Sequence, residues 1–214
     1  MTNFPGSMDP DHPPKHLLSA EAAERRLKTH YQRLDKCIRG AWTAFLRDYG
    51  HKRHILSPRS IASIIFDEII NRAQAEFSGI AGVLPKTQNN SFLLYIGEDI
   101  VIRFKKIGRD GRCRNIPTRQ QNLIDLQIAL PGMQKGTMLQ AGYMLDDLRQ
   151  NLLSTMIVCQ YAKRVVWAIN LAGPAENQIA PISMKPAPQP PKQPRFESKT
   201  GEVKKDKSKR NRKE

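Results

Sequence analysis

Disulfide chemistry has little to work with in this chain. Its 214 residues hold three cysteines, Cys37, Cys113 and Cys159, widely spaced and without a Cys-x-x-Cys pair. An odd, scattered set of thiols argues against a secreted disulfide framework and reads as reduced cysteines of a cytoplasmic protein. No apolar run approaches the ~18 residues that a bilayer-crossing helix needs. The first residues lack the basic, apolar, small-residue order of a signal peptide. No membrane association is therefore expected.

Catalytic signatures are also missing. The sequence contains no Gly-x-Ser-x-Gly, phosphate loop or dinucleotide fingerprint. Asp67-Glu68 falls on a helical pattern, where neighbours diverge by about 100° and cannot share a proton-transfer site. Glu98-Asp99 falls at a hairpin tip. Neither pair precedes a lysine at the spacing of the common metal-dependent nuclease strand, because Arg103 holds the position two before Lys105. His51-Lys52-Arg53-His54 offers two imidazoles, but zinc takes three or four protein ligands and the intervening cations repel it. No metal or cofactor is expected. An enzyme is left open, with nuclease chemistry a minor option.

What the chain has is positive charge, +15 in all. Residues 185–214 supply eleven Lys and Arg against four acids, so about half of the excess sits there and the remainder makes the preceding part basic as well. That terminal stretch follows Pro186, Pro188, Pro190, Pro191 and Pro194 and has almost nothing apolar to bury, so residues 173–214 are expected to be a disordered, basic tail. Pro5, Pro10, Pro13 and Pro14 mark residues 1–18 as a loose leader. Residues 19–172 are left as one domain, long enough to bury a core of its own.

The domain reads as α+β. Ser19 caps a long amphipathic helix to about Tyr49, with Leu27, Tyr31, Leu34, Ile38, Trp42 and Phe45 on one stripe. Gly40 within it implies a kink or close packing. Ser57-Pro58 opens a second helix whose buried face is Ile61, Ile65, Ile69 and Ala73. Phe92–Ile96 and Asp99–Ile107 form a hairpin about Gly97-Glu98, and Ile80–Leu84 is a candidate short strand. A helix over Thr118–Leu130, stopped by Pro131-Gly132, precedes strands near Thr137–Leu145, Leu153–Tyr161 and Val165–Leu171. This order predicts two N-terminal amphipathic helices packed on one face of a mostly antiparallel sheet of about five strands, with one inserted helix.

Arg103, Lys105 and Lys106, with Arg109, Arg112 and Arg114 in the following loop, form the densest basic patch outside the tail. Arg103 and Lys105 share a strand face, so both charges can meet one anion; gatekeeping charges on an edge strand would have the same look. Arg119 extends the patch. Asn115 and Thr118, with Gln120 behind them, form a polar string in which Thr118 caps the helix. Gln127 interrupts a leucine-rich stripe, either as a buried amide tied to backbone or as a site residue. Few aromatics interleave these cations, which argues against base stacking.

Ile100-Val101-Ile102-Arg103-Phe104-Lys105-Lys106, then Asn115-Ile116-Pro117-Thr118, Gln127, Gly142-Tyr143 and a strand with Trp167, resemble a group of poorly characterised bacterial proteins. Those are encoded beside a helix-turn-helix protein with a zinc-peptidase-like domain, in toxin–antitoxin or phage-defence arrangements. The resemblance covers residues 57–171. It implies a cognate, antitoxin-like protein partner and carries over no catalytic residue. The expectation is an effector of a bacterial two-gene module acting through a basic surface on RNA, DNA or that partner. A non-catalytic nucleic-acid-binding protein and a protein-interaction module are the alternatives.

Overall fold

A computed structural model describes Pro14 and residues 17–88, 90–113, 116 and 118–172. Nearly all of the expected leader, the whole of the expected tail, and Arg114 and Asn115 lie outside these residues.

Two serines start the helices as their sequence context predicts. Ser19 Oγ accepts from Ala22 N at 3.2 Å, opening α1 (Ala20–Leu27). Ser57 Oγ accepts from Ser60 N at 3.1 Å, opening α3 (Pro58–Phe77) with proline at its first position. The expected single helix to Tyr49 is instead two. A tight turn over Lys28–His30 separates α1 from α2 (Tyr31–Tyr49). The apolar stripe runs through the break, because Leu27 and Tyr31 are both buried, so periodicity alone does not reveal it. The break lets α1 lie along the last strand while α2 crosses to pack on α3 and the sheet centre. Gly40 of α2 is explained by close packing, since a Cβ there would stand 2.9 Å from the Arg72 guanidinium of α3.

The sheet has six strands rather than about five, in the order β1 (Val83–Gln88), β2 (Ser91–Ile96), β3 (Ile100–Ile107), β4 (Thr137–Leu145), β5 (Leu152–Tyr161) and β6 (Arg164–Asn170). The sixth is β1, which overlaps the candidate strand Ile80–Leu84 but starts at Val83 and runs on through Pro85 and Lys86, residues that a hydrophobicity reading passes over and an edge position tolerates. All neighbours pair antiparallel except β3 with β4, which are parallel. The connection between them carries the inserted helix, α4 (Arg119–Asp125).

Strand alternation sorts the core into two layers. Ile100, Ile102 and Phe104 face α1–α3 together with Leu139, Ala141 and Ile157. Val101 and Met138 face the other way, beneath Ile124 of α4 and Leu130. The helices therefore do not all lie on one face, as the element order suggested; α4 covers the opposite one. It is also shorter than Thr118–Leu130, because the chain turns left-handed at Gln127 (φ 58°), well before Pro131-Gly132.

At the α1–α2 break, His30 packs its ring 6.0 Å from that of Phe77, and its Nδ1 is buried without a partner. Burial first, and Arg33 second, lower its pKa from 6.5. The unfolded chain then binds that proton more readily than the folded one. His30's contribution is fully present above 6.5 and is lost as pH falls through 6.5 towards the folded value. The urea midpoint is expected to drop over that range, and His30→Gln to flatten the drop.

Candidate functional site

The Arg103–Lys106 run does not form one patch. Alternation sends Arg103 and Lys105 to the α4 side and Lys106 to the α3 side, so one stretch of β3 serves two separate basic sites.

On the α4 side, Arg103 stands opposite Gln140 of β4, and Lys105 opposite Gly142. Arg103 is 8 % exposed, so it is a buried cation and not part of a solvated sheet face. Its Nη1 donates to Gln121 Oε1 at 3.1 Å, and Gln121 Nε2 donates to Asp125 Oδ1 at 2.6 Å. Gln121 is placed for this by Thr118, whose Oγ1 accepts from Gln121 N at 3.1 Å and caps α4. Burial lowers the Arg103 pKa against the attraction of Asp125. Lys105, half-buried, is lowered by burial first and by Arg103 second. The Cys113 thiol beside them is pushed up to about 12 by burial, so it stays protonated despite both cations.

Gln127 turns out to be the tied amide. Its Nε2 donates to Met138 O at 2.8 Å and to Gln160 O at 2.7 Å, while its Oε1 accepts from Met138 N at 2.7 Å. Three backbone groups of β4 and β5 depend on it. Gln127→Leu leaves all three unpaired in a buried site, at ~1–3 kcal/mol each. A loss of about 3 kcal/mol or more in denaturant stability is expected.

On the α3 side, Lys106 looks across a groove towards Arg149 in the β4–β5 loop. Asp146 fastens that loop: its Oδ1 accepts from Gln150 N at 2.5 Å, and its Oδ2 from Asn151 Nδ2 at 2.8 Å. Arg149 is thereby held exposed at φ 56°. Lys106 is lowered by burial first and by Arg149 second. Arg59, in the first turn of α3, lines the same region with Ala62, Ser63 and Phe66. The groove between α3, the end of β3 and the loop holds about 630 Å³ and adds Arg109. A further groove of about 470 Å³ continues past Arg149 to Arg53, His54 and Leu148.

Lys105 aside, which turns to the α4 side, five Lys and Arg line these connected grooves against three acids, and the acids are occupied. Asp146 holds its loop, Asp147 pairs with Arg109 at 3.6 Å, and Asp110 pairs with Arg112 at 2.8 Å. Among the described residues, Arg59, Lys106 and Arg149 have no ion-pair partner.

No family model, curated protein or solved structure matches this chain.

Of the cations singled out in the sequence, Arg112 is spent on Asp110, and Arg119 is exposed at the start of α4 with Gln120. Arg59 and Arg149 were missed. Each is an isolated arginine more than forty residues from Lys106 in the chain, and only the fold brings them to it. Among the described residues no three His, Cys, Asp or Glu cluster as metal ligands, and no helix is long and apolar enough to cross a membrane.

Proposed function

We propose that this chain is a nucleic-acid-binding effector of a bacterial two-gene module, gripping backbone phosphates in the cleft lined by Arg59, Lys106, Arg109 and Arg149. The observation that carries the reading is the Lys106–Arg149 pair. Two cations face one groove, neither has an ion-pair partner among the described residues, and their mutual repulsion is relieved when a phosphate enters. A loop pre-formed by Asp146 needs little reordering to bind. The gene-pair assignment rests on the resemblance of residues 57–171 to proteins encoded beside an antitoxin-like partner. Binding is the activity proposed.

The test is titration of labelled RNA and DNA at graded salt. Phosphate contacts predict an affinity that falls linearly on a log–log plot, and binding that ignores salt would contradict the reading. For the gene-pair assignment, the chain is expressed with and without its neighbouring gene. Growth arrest relieved by the neighbour supports it, and equal growth opposes it.

A second reading, docking of an acidic protein, is favoured by Ile55 and Leu148. They are 69 % and 75 % exposed, Leu148 in the groove with Arg53 and Arg149, and nucleic acid backbones offer such aliphatic side chains nothing.

A further inference from the structure

We propose that Arg103, Lys105 and Gln140 form a pocket, beneath α4, for a single phosphate-type oxyanion. The pocket is separate from the cleft at Lys106, being on the other face of β3, and its case stands whether or not the cleft binds nucleic acid.

Register brings the three together. Arg103 and Lys105 are two apart on β3 and so face the same way, and Gln140 is Arg103's neighbour on β4.

Charge is the main argument. Two cations are drawn into this layer with one carboxylate near, Asp125, and its Oδ1 is taken by the Gln121 amide rather than by the guanidinium. Among the described residues, neither Arg103 nor Lys105 has an acid within ion-pair distance. Burying charge without a counter-charge is costly enough that proteins pair it or give it a ligand. Burial and mutual repulsion already disfavour the charged lysine here; an anion between the two heads offsets both costs by its attraction.

Hydrogen bonding points the same way. Gln140 is 3 % exposed, and its Oε1 is a buried acceptor with no partner; turned over, the amide puts Nε2 in that place, where it can donate to an oxyanion. Arg103 uses one Nη1 bond, and none of its remaining nitrogens is both sealed from solvent and unpartnered. A planar donor fork, an ammonium and an amide that can present its nitrogen or its oxygen suit a tetrahedral oxyanion. With Arg103 8 % exposed, the site is proposed for one such group and not for a continuous strand. Free phosphate and the terminal phosphate of a nucleic acid share this chemistry.

The experiment titrates inorganic phosphate into the full chain at ionic strength held constant with chloride, reading the melting temperature and the rate of Cys113 alkylation. Cys113 is a local reporter, because it is half-exposed while Cys37 and Cys159 are buried. A saturable rise in melting temperature with slower alkylation is expected. Lys105→Gln and Gln140→Met are expected to weaken the apparent affinity by roughly tenfold or more, the usual loss for a charge-assisted bond. Arg103→Lys, which keeps the charge but loses the fork, gives a second series should Lys105→Gln disturb the fold. No phosphate effect beyond that of matched chloride would overturn the proposal. So would an effect abolished by Lys106→Gln and untouched by Lys105→Gln, since the anion would then sit in the cleft. A 5′-phosphorylated oligonucleotide that competes with phosphate better than its 5′-hydroxyl twin assigns the pocket to a strand end. Equal competition by the two assigns it to free phosphate.

Discussion

Replacing Gly142 with alanine is expected to cost about 3 kcal/mol or more and to leave the chain largely unfolded or insoluble at 37 °C. A Cβ at this position would overlap the Lys105 carbonyl oxygen, and backbone atoms cannot swing aside as a side-chain tip can. Gly142 is the Lys105 partner in the parallel β3–β4 ladder and the Met156 partner in β4–β5, so relief requires spreading the middle of the sheet. That movement would open contacts of Ala141, Ile157 and Phe104, all fully buried. Losses of this size belong to overpacking of a core that cannot yield. The measurement is a urea or thermal melt beside wild type. Gly50→Ala is the control, since a Cβ there meets nothing within 4 Å; it should melt within about 0.5 kcal/mol of wild type.

The second large effect concerns the cleft. Lys106→Gln with Arg149→Gln removes both cations of the converging pair without creating a buried void, because Arg149 is exposed and Lys106 half-buried. If each contacts one phosphate, nucleic-acid affinity at moderate salt is expected to fall ~10-fold to 100-fold, with the magnitude of the salt slope dropping by about two. Melting temperature is expected to hold or rise slightly, because the Lys106–Arg149 repulsion disappears. Affinity lost while stability is kept separates a binding role from a structural one.

Much of the fold was legible from the sequence. Ser19 and Ser57-Pro58 announce helix starts through local chemistry, and Ile100–Ile107 announces a strand through alternation. The misses have physical causes. The break at Lys28–His30 is set by what α1 and α2 pack against, while the stripe from Leu27 to Tyr31 keeps a helical spacing throughout. Strand β1 carries Pro85 and Lys86 because it lies at an edge. The early end of α4 is decided by Gln127, whose bonds to Met138 and Gln160 join segments distant in sequence. The candidate site was half legible. Alternation on β3 put Arg103 and Lys105 on one face, as the structure has them, but it cannot tell a solvated face from one covered by a helix. It gave no notice of Arg59 and Arg149 either, because a cleft assembled from a helix start, a strand end and a loop leaves no local pattern.

We propose that residues 19–172, and not the basic stretch 185–214, hold the phosphates. The most direct test is the slope of log affinity against log salt for three proteins: the full chain, the chain lacking residues 185–214, and the full chain with Lys106→Gln and Arg149→Gln. The account predicts that the shortened chain still binds with a steep slope, and that the cleft variant is the one whose slope and affinity fall through the folded domain. A shortened chain with no measurable binding, beside a cleft variant equal to wild type, would contradict it.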